Sequence, residues 1–163
     1  MDSFKEKYGE YLASFEARLK KFYDELDCKP ELLGESLKYS LQSGGKRVRP
    51  VLMLASADLV GAKAEDIEDY ALALELIHTY SLIHDDLPEM DNDDYRRGRP
   101  SNHKVFGTGN AVLAGDGLLN TAYYMLFERS ADGKIYADAA KFLCGCAGVY
   151  GMIAGQSACP AII

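Results

Sequence analysis

The chain has 163 residues, 48% of them hydrophobic, with 25 acidic against 18 basic side chains and a formal net charge of −7. That length predicts one domain with a core of its own, and the acidic balance excludes the basic face that a nucleic-acid partner needs. No apolar run reaches the ~18 residues of a membrane span, and the polar start Met1-Asp2-Ser3-Phe4-Lys5-Glu6 reads as no signal peptide, so a cytoplasmic location is expected. Cys28, Cys144, Cys146 and Cys159 form neither a Cys-x-x-Cys pair nor a disulfide framework, and are expected to be reduced.

Taken in order, Ser3 and Glu6 form a capping-box pattern. From Phe4 through Tyr8, Tyr11, Phe15, Leu19, Phe22 and Leu26, apolar residues recur at three- and four-residue steps, which predicts an amphipathic helix. Pro30 suits the start of a second helix, running to about Gln42 with Leu33, Leu37 and Leu41 inward. Gly44-Gly45 then opens a basic loop, Ser43-Gly44-Gly45-Lys46-Arg47-Val48-Arg49. Pro50 starts a third helix that Gly61 stops. A fourth, Ile67 to about Asp86, is apolar around much of its circumference and belongs in the middle of a bundle. Residues 88 to 109 read as an irregular segment punctuated by Pro88, Gly98, Pro100, Gly107 and Gly109. Asn110 could cap a helix from Ala111 to Arg129 with Asp116 embedded among apolar neighbours, and a last helix is expected from about Ile135 to Ala154. No alternating strand pattern is visible, so the fold class expected is all-α.

The fourth helix ends in an unusual place. Asp85, Asp86, Glu89, Asp91, Asp93 and Asp94 put six carboxylates within ten residues, and Arg96, Arg97 and Arg99 follow at once. Like charges about 8 Å apart repel by roughly 2 kcal/mol per pair at an effective dielectric near 20. Packing does not call for that concentration, but a cation does. Carboxylates without a Cys/His set favour a hard oxygen-seeking ion, Mg²⁺ or Ca²⁺. Cations beside them suit oxyanions, and the two together describe a polyphosphate site.

On a helix of 3.6 residues per turn, His78, Ser81, Leu82 and Asp85 share a face. His78 reads equally as a satisfied core histidine and as part of a cavity wall, while His84 lies off that face and reads as structural. An unbroken helix would hold Asp85 and Asp91 about 120° apart, but Pro88 disfavours helix at Leu87. A loop there can fold Asp91 back toward Asp85. An EF-hand does not fit: Asp91-Asn92-Asp93-Asp94-Tyr95-Arg96 has no glycine at its sixth position and carries arginine within the loop.

Gly44-Gly45-Lys46-Arg47-Val48-Arg49-Pro50, His78 through Asp86, Asp91, Arg96-Arg97-Gly98, Ser101-Asn102-His103, Ala114-Gly115-Asp116 and Gly155-Gln156 resemble, in order and spacing, the trans-isoprenyl diphosphate synthases, the bacterial farnesyl type most of all. The resemblance implies the N-terminal half of an isoprenoid-synthase helical bundle over residues 1–156, with 157–163 a tail unlike the family. It implies that Lys46, Arg49, His78, Arg97 and Gln156 bind substrate, with the first four on the diphosphate of isopentenyl diphosphate, and that Arg96 binds an allylic diphosphate. Asp85, Asp86 and Asp91 would hold Mg²⁺ and, with Arg96, form the catalytic set. Tyr80, roughly 7.5 Å along the helix from Asp85, and Ser81 would limit product length, giving farnesyl diphosphate from dimethylallyl or geranyl diphosphate. A terpene cyclase also uses an aspartate-rich helix end, but the Gly-Gly-Lys-Arg loop and the Arg96-Arg97 pair fit a second diphosphate substrate better.

Two consequences follow from where the resemblance stops. Family members are nearly twice this length, and their second aspartate-rich motif is missing, as is the acid they usually carry where Cys159 stands. Unpaired apolar faces on the fifth and sixth helices then predict a homo-oligomer or swapped assembly, with little or no turnover by this chain alone. A non-catalytic diphosphate- and Mg²⁺-binding subunit is the alternative.

Overall fold

A computed structural model describes residues 3–158, and within them the chain is a bundle of helices. Helix α1 spans Phe4–Glu25 behind the expected capping box, in which Ser3 and Glu6 satisfy each other's backbone N–H. Helix α2 (Glu31–Leu41), α3 (Val48–Leu59) and α4 (Ala64–Asp85) follow, with Gly61 in the left-handed conformation just past the end of α3. Helix α4 is the central member. Tyr70, Ala71, Leu72, Ala73, Leu76, Ile77, Tyr80 and Ile83 are all buried, as expected of a helix apolar on most sides. Helix α3 and a later helix, α6 (Thr108–Ser130), pack against it, and Phe15 and Leu19 of α1 close the core.

The segment after α4 is more ordered than its punctuation suggests. Tyr95–Arg96 (β1) and Arg99–Pro100 (β2) pair antiparallel, a correction to the expectation of no strand. Arg97 and Gly98 both take positive φ (53° and 78°), the two-residue turn whose twist matches such a hairpin. A short helix, α5 (Asn102–Phe106), then docks onto α2. The Asn102 amide donates to the Ser36 carbonyl (3.0 Å) and Ser40 Oγ (2.8 Å), and the Tyr39 hydroxyl donates to the Pro100 carbonyl (2.8 Å).

Helix α6 (Thr108–Ser130) starts earlier than Asn110, on Gly107. Its Asp116 is mostly exposed and not embedded, since Val112 and Leu113 beside it also face outward. The expected final helix is two pieces, α7 (Lys134–Ala147) and α8 (Met152–Ser157). Gly145, Gly148 and Gly151 fall within seven residues, and glycine is a poor helix former. Among the described residues no helix is long and apolar enough to cross a membrane. Most of the tail expected at 157–163, with Cys159, lies outside the described residues.

Candidate diphosphate site

Three open spaces adjoin along one side of α4. The first is a hollow of about 570 Å³ lined by Gly45, Lys46, Arg49, His78 and Arg97, with Arg47 and Glu75 at its back. The second is a cleft of about 260 Å³ that shares Arg49 and His78 and continues past Ser81, Leu82 and Asp85 to Met152 and Gln156 of α8. Leu74 links this cleft to the third, an apolar groove of about 740 Å³ between α3, α4 and α7. From Ile67 through His78 to Asp85, a hydrocarbon surface, cations and a carboxylate end thus follow one another along the helix.

In the basic hollow, Lys46 and Arg49 are exposed, and Arg49 Nη1 lies 3.4 Å from His78 Nε2. Gly45, at φ 130°, a backbone conformation that other residues adopt only under strain, lies against the Arg97 guanidinium. Arg97 in turn donates to the Gly44 carbonyl and ties the hairpin to the loop. Burial, then the guanidinium groups of Arg49, Arg97, Arg47 and Arg96, push the His78 pKa down to about 4. Burial and the surrounding guanidiniums also hold Arg97 below the usual arginine range. Like charges are crowded here, and a bound anion would relieve them.

At the acidic end the chain turns back as Pro88 requires. The Asp91 N–H donates to the Asp85 carbonyl (2.8 Å), and the Leu87 carbonyl accepts from Met90 (2.9 Å) and Asn92 (3.0 Å). The two residues are therefore brought together. Burial raises the Asp85 pKa, and the charges of Asp91 and Asp86 add to it, while a hydrogen bond from Gln156 lowers it. Gln156 thus reaches the carboxylate by donating to Asp85 Oδ1, a contact its expected substrate role did not foresee.

Asp86 differs from expectation. It lies one residue, and so about 100°, round the helix from Asp85, is nearly fully buried, and accepts from Arg96 Nε at 2.9 and 3.2 Å and again from Nη2. An acid and a base both expected to face ligands are paired with each other. Among the described residues no group of three or more His, Cys, Asp or Glu side chains converges as a metal site. Mg²⁺ does not require one, since it takes one or two carboxylates together with substrate phosphates. Asp85 and Asp91 fit that donor set; Asp86, committed to Arg96, fits it less well.

Tyr80 stands behind the cleft, not in it. Its ring is buried and meets the His84 ring edge-on, 5.6 Å between centroids. Ser81 does line the cleft, its hydroxyl donating to the His78 carbonyl (2.9 Å). His84 is structural as expected: Nε2–H donates to the Val112 carbonyl (3.1 Å), pressed so close to Gly115 that no Cβ would fit there. The sequence reading missed Arg47 and Glu75, buried partners at the back of the hollow. The available signal was Glu75 itself, the lone acid in the run Ala71-Leu72-Ala73-Leu74-Glu75-Leu76-Ile77.

Residues 30–150 match the family model described as polyprenyl synthetase. The chain is 46% identical over 149 residues to the farnesyl diphosphate synthase of Bacillus subtilis, an alignment covering 89% of this chain and 50% of that one. It is 49% identical over 132 residues to the chloroplastic geranylgeranyl pyrophosphate synthase of Capsicum annuum, covering 79% of this chain and 36% of the relative. The crystal structure of a geranyltransferase from Legionella pneumophila superposes with a TM-score of 0.87 at 40% identity, over 94% of this chain and 55% of that one. The chain spans about half the length, or less, of the curated relatives it matches. Fold, motif order and family model agree: the chain belongs to the polyprenyl synthetase family.

Proposed function

We propose that this chain carries the diphosphate-handling wall of a prenyltransferase that joins isopentenyl diphosphate to dimethylallyl or geranyl diphosphate, leading to farnesyl diphosphate. The observation that carries the reading is the adjacency along α4 of a crowded cationic hollow, a paired-carboxylate end and an apolar groove. Lys46, Arg49, Arg97 and neutral His78 would hold the diphosphate of isopentenyl diphosphate. Arg96, its fork oriented by Asp86, would bind the allylic diphosphate. Mg²⁺, held by Asp85 and Asp91, would supply charge neutralisation to the departing diphosphate.

The reaction breaks the allylic C–O bond, and its electron pair leaves with the diphosphate. The double bond of isopentenyl diphosphate then attacks the carbocation, and a proton is lost. The cations named above stabilise the departing charge, and the apolar walls of α4 keep water from the carbocation. Ser81 borders the path of the growing hydrocarbon, and Tyr80 backs it from the α6 side. In this reading 1–156 form the family's domain, residues 157–163 stand outside it, and the setting is the cytoplasm.

A second reading is favoured by the exposed apolar surface. On α6 Tyr124 and Phe127 are 61% and 79% exposed, and on α7 Ile135 and Phe142 are 77% and 75% exposed. Such faces support a homo-oligomer, or a diphosphate- and Mg²⁺-binding subunit that acts through a partner. One assay separates the two. The chain is incubated with Mg²⁺, labelled isopentenyl diphosphate and either allylic diphosphate, and the alcohols are extracted after phosphatase. A C15 alcohol is the expected result for the enzyme, and Tyr80→Ala then shifts the product to longer chains. Thermal stabilisation by Mg²⁺ and diphosphate without product supports the subunit, and neither response sinks both.

A further inference from the structure

Of the three cations in the basic loop, one is buried at the back of the hollow. Arg47 sits in the left-handed region (φ 48°) as the cap of α3, with a side chain only 2% exposed. Its Nε–H donates to Glu16 (2.9 Å), one Nη to Glu75 (2.8 Å) and the other to the Leu41 carbonyl (2.7 Å), so it binds α1, α4 and the end of α2 at once. On the same loop the Lys46 carbonyl accepts from the Tyr8 hydroxyl of α1. With Arg47 turned inward, the residues on either side, Lys46 and Arg49, are left outward on the hollow.

Glu75 makes the arrangement informative. A carboxylate at the back of an anion hollow works against the anion on charge alone. It is as buried as Arg47, at 2% exposure, and sits on the central helix. We propose that the Arg47–Glu75 pair is a positioning device that fixes the loop so that Lys46 and Arg49 converge on the diphosphate; this rests on the diphosphate assignment above. Glu75 touches no substrate. It acts through Arg47.

The sign of one substitution tests this. Glu75→Gln keeps the shape and removes a negative charge from beside the hollow. If charge alone matters, inorganic pyrophosphate binds the variant more tightly than the parent. If Glu75 positions the loop, it binds more weakly, on the order of tenfold, as loss of a supporting partner costs ligand sites elsewhere. Isothermal titration with pyrophosphate reads the difference, with Leu126→Val as comparator because it loosens the α6 core far from the loop. Weakening in Glu75→Gln but not in Leu126→Val is the expected result. Equal weakening in both, or unchanged or tighter binding in Glu75→Gln, overturns the proposal. Should Glu75→Gln not fold, Tyr8→Phe decides, because it removes an uncharged tether at a half-exposed site: weaker pyrophosphate binding supports the clamp and unchanged binding overturns it. No binding by the parent chain overturns the diphosphate assignment itself, and the clamp with it.

Discussion

Helices α4 and α7 both carry the apolar residues of a core, yet only one of them is in it. Leu72 and Leu76 of α4 have no exposed surface, whereas Ile135 and Phe142 of α7 are 77% and 75% exposed, and only Ala140 and Ala147 of α7 are buried. The difference lies in what covers them. Helix α4 is enclosed by α1, α3 and α6, while the face of α7 that carries Ile135 and Phe142 borders the open apolar groove. An amphipathic pattern states which face gains by leaving water; it does not state whether the same chain supplies the cover.

Three changes would break or sharpen that contrast. The largest effect belongs to Leu76→Ala, which should cost about 2–5 kcal/mol in urea unfolding, as cavities in close-packed cores do; a loss no greater than that of Phe142→Ser would erase the contrast. An intermediate effect is tied to pH through His78. Burial and the neighbouring arginines push its pKa down to about 4 from 6.5, so the unfolded chain takes up a proton that the folded chain refuses. Stability should therefore be full above pH 6.5 and be lost progressively as pH falls toward about 4. His78→Asn should flatten that dependence, and an unchanged slope would place the acid sensitivity elsewhere. The smallest effect on stability is expected from Phe142→Ser, within about 0.5 kcal/mol as for surface positions. If α7 is an assembly face, light scattering should nevertheless show the variant shifted toward a smaller species than the parent.

Much of the helical order was legible because it rests on local signals: the Ser3/Glu6 box, Gly61 after α3, and the near-continuous apolar run of α4. Even the return of Asp91 toward Asp85 could be read from Pro88. Three features could not be read that way. The β1–β2 hairpin depends on Arg97 taking a left-handed conformation, which an arginine does not advertise. The break after Ala147 depends on three glycines acting together. The Asp86–Arg96 and Arg47–Glu75 pairs depend on which way a charged side chain turns, and composition alone does not reveal it. Each charged cluster commits members to the protein: Asp86 and Asp93 to Arg96, Asp94 to Lys104, and Arg47 to Glu16 and Glu75. The site is left with Asp85 and Asp91 on one side and Lys46 and Arg49 on the other.

The central claim is that these two remaining sets serve two diphosphates in adjoining spaces, the basic set directly and the acidic set through Mg²⁺. Titration calorimetry of inorganic pyrophosphate, with and without Mg²⁺, tests it most directly. Saturable binding is expected without Mg²⁺, with a further component when Mg²⁺ is added; Asp85→Asn should remove only the Mg²⁺-dependent component, and Arg49→Gln should weaken the Mg²⁺-independent one. Binding that ignores Mg²⁺, or that survives both substitutions intact, would contradict the account.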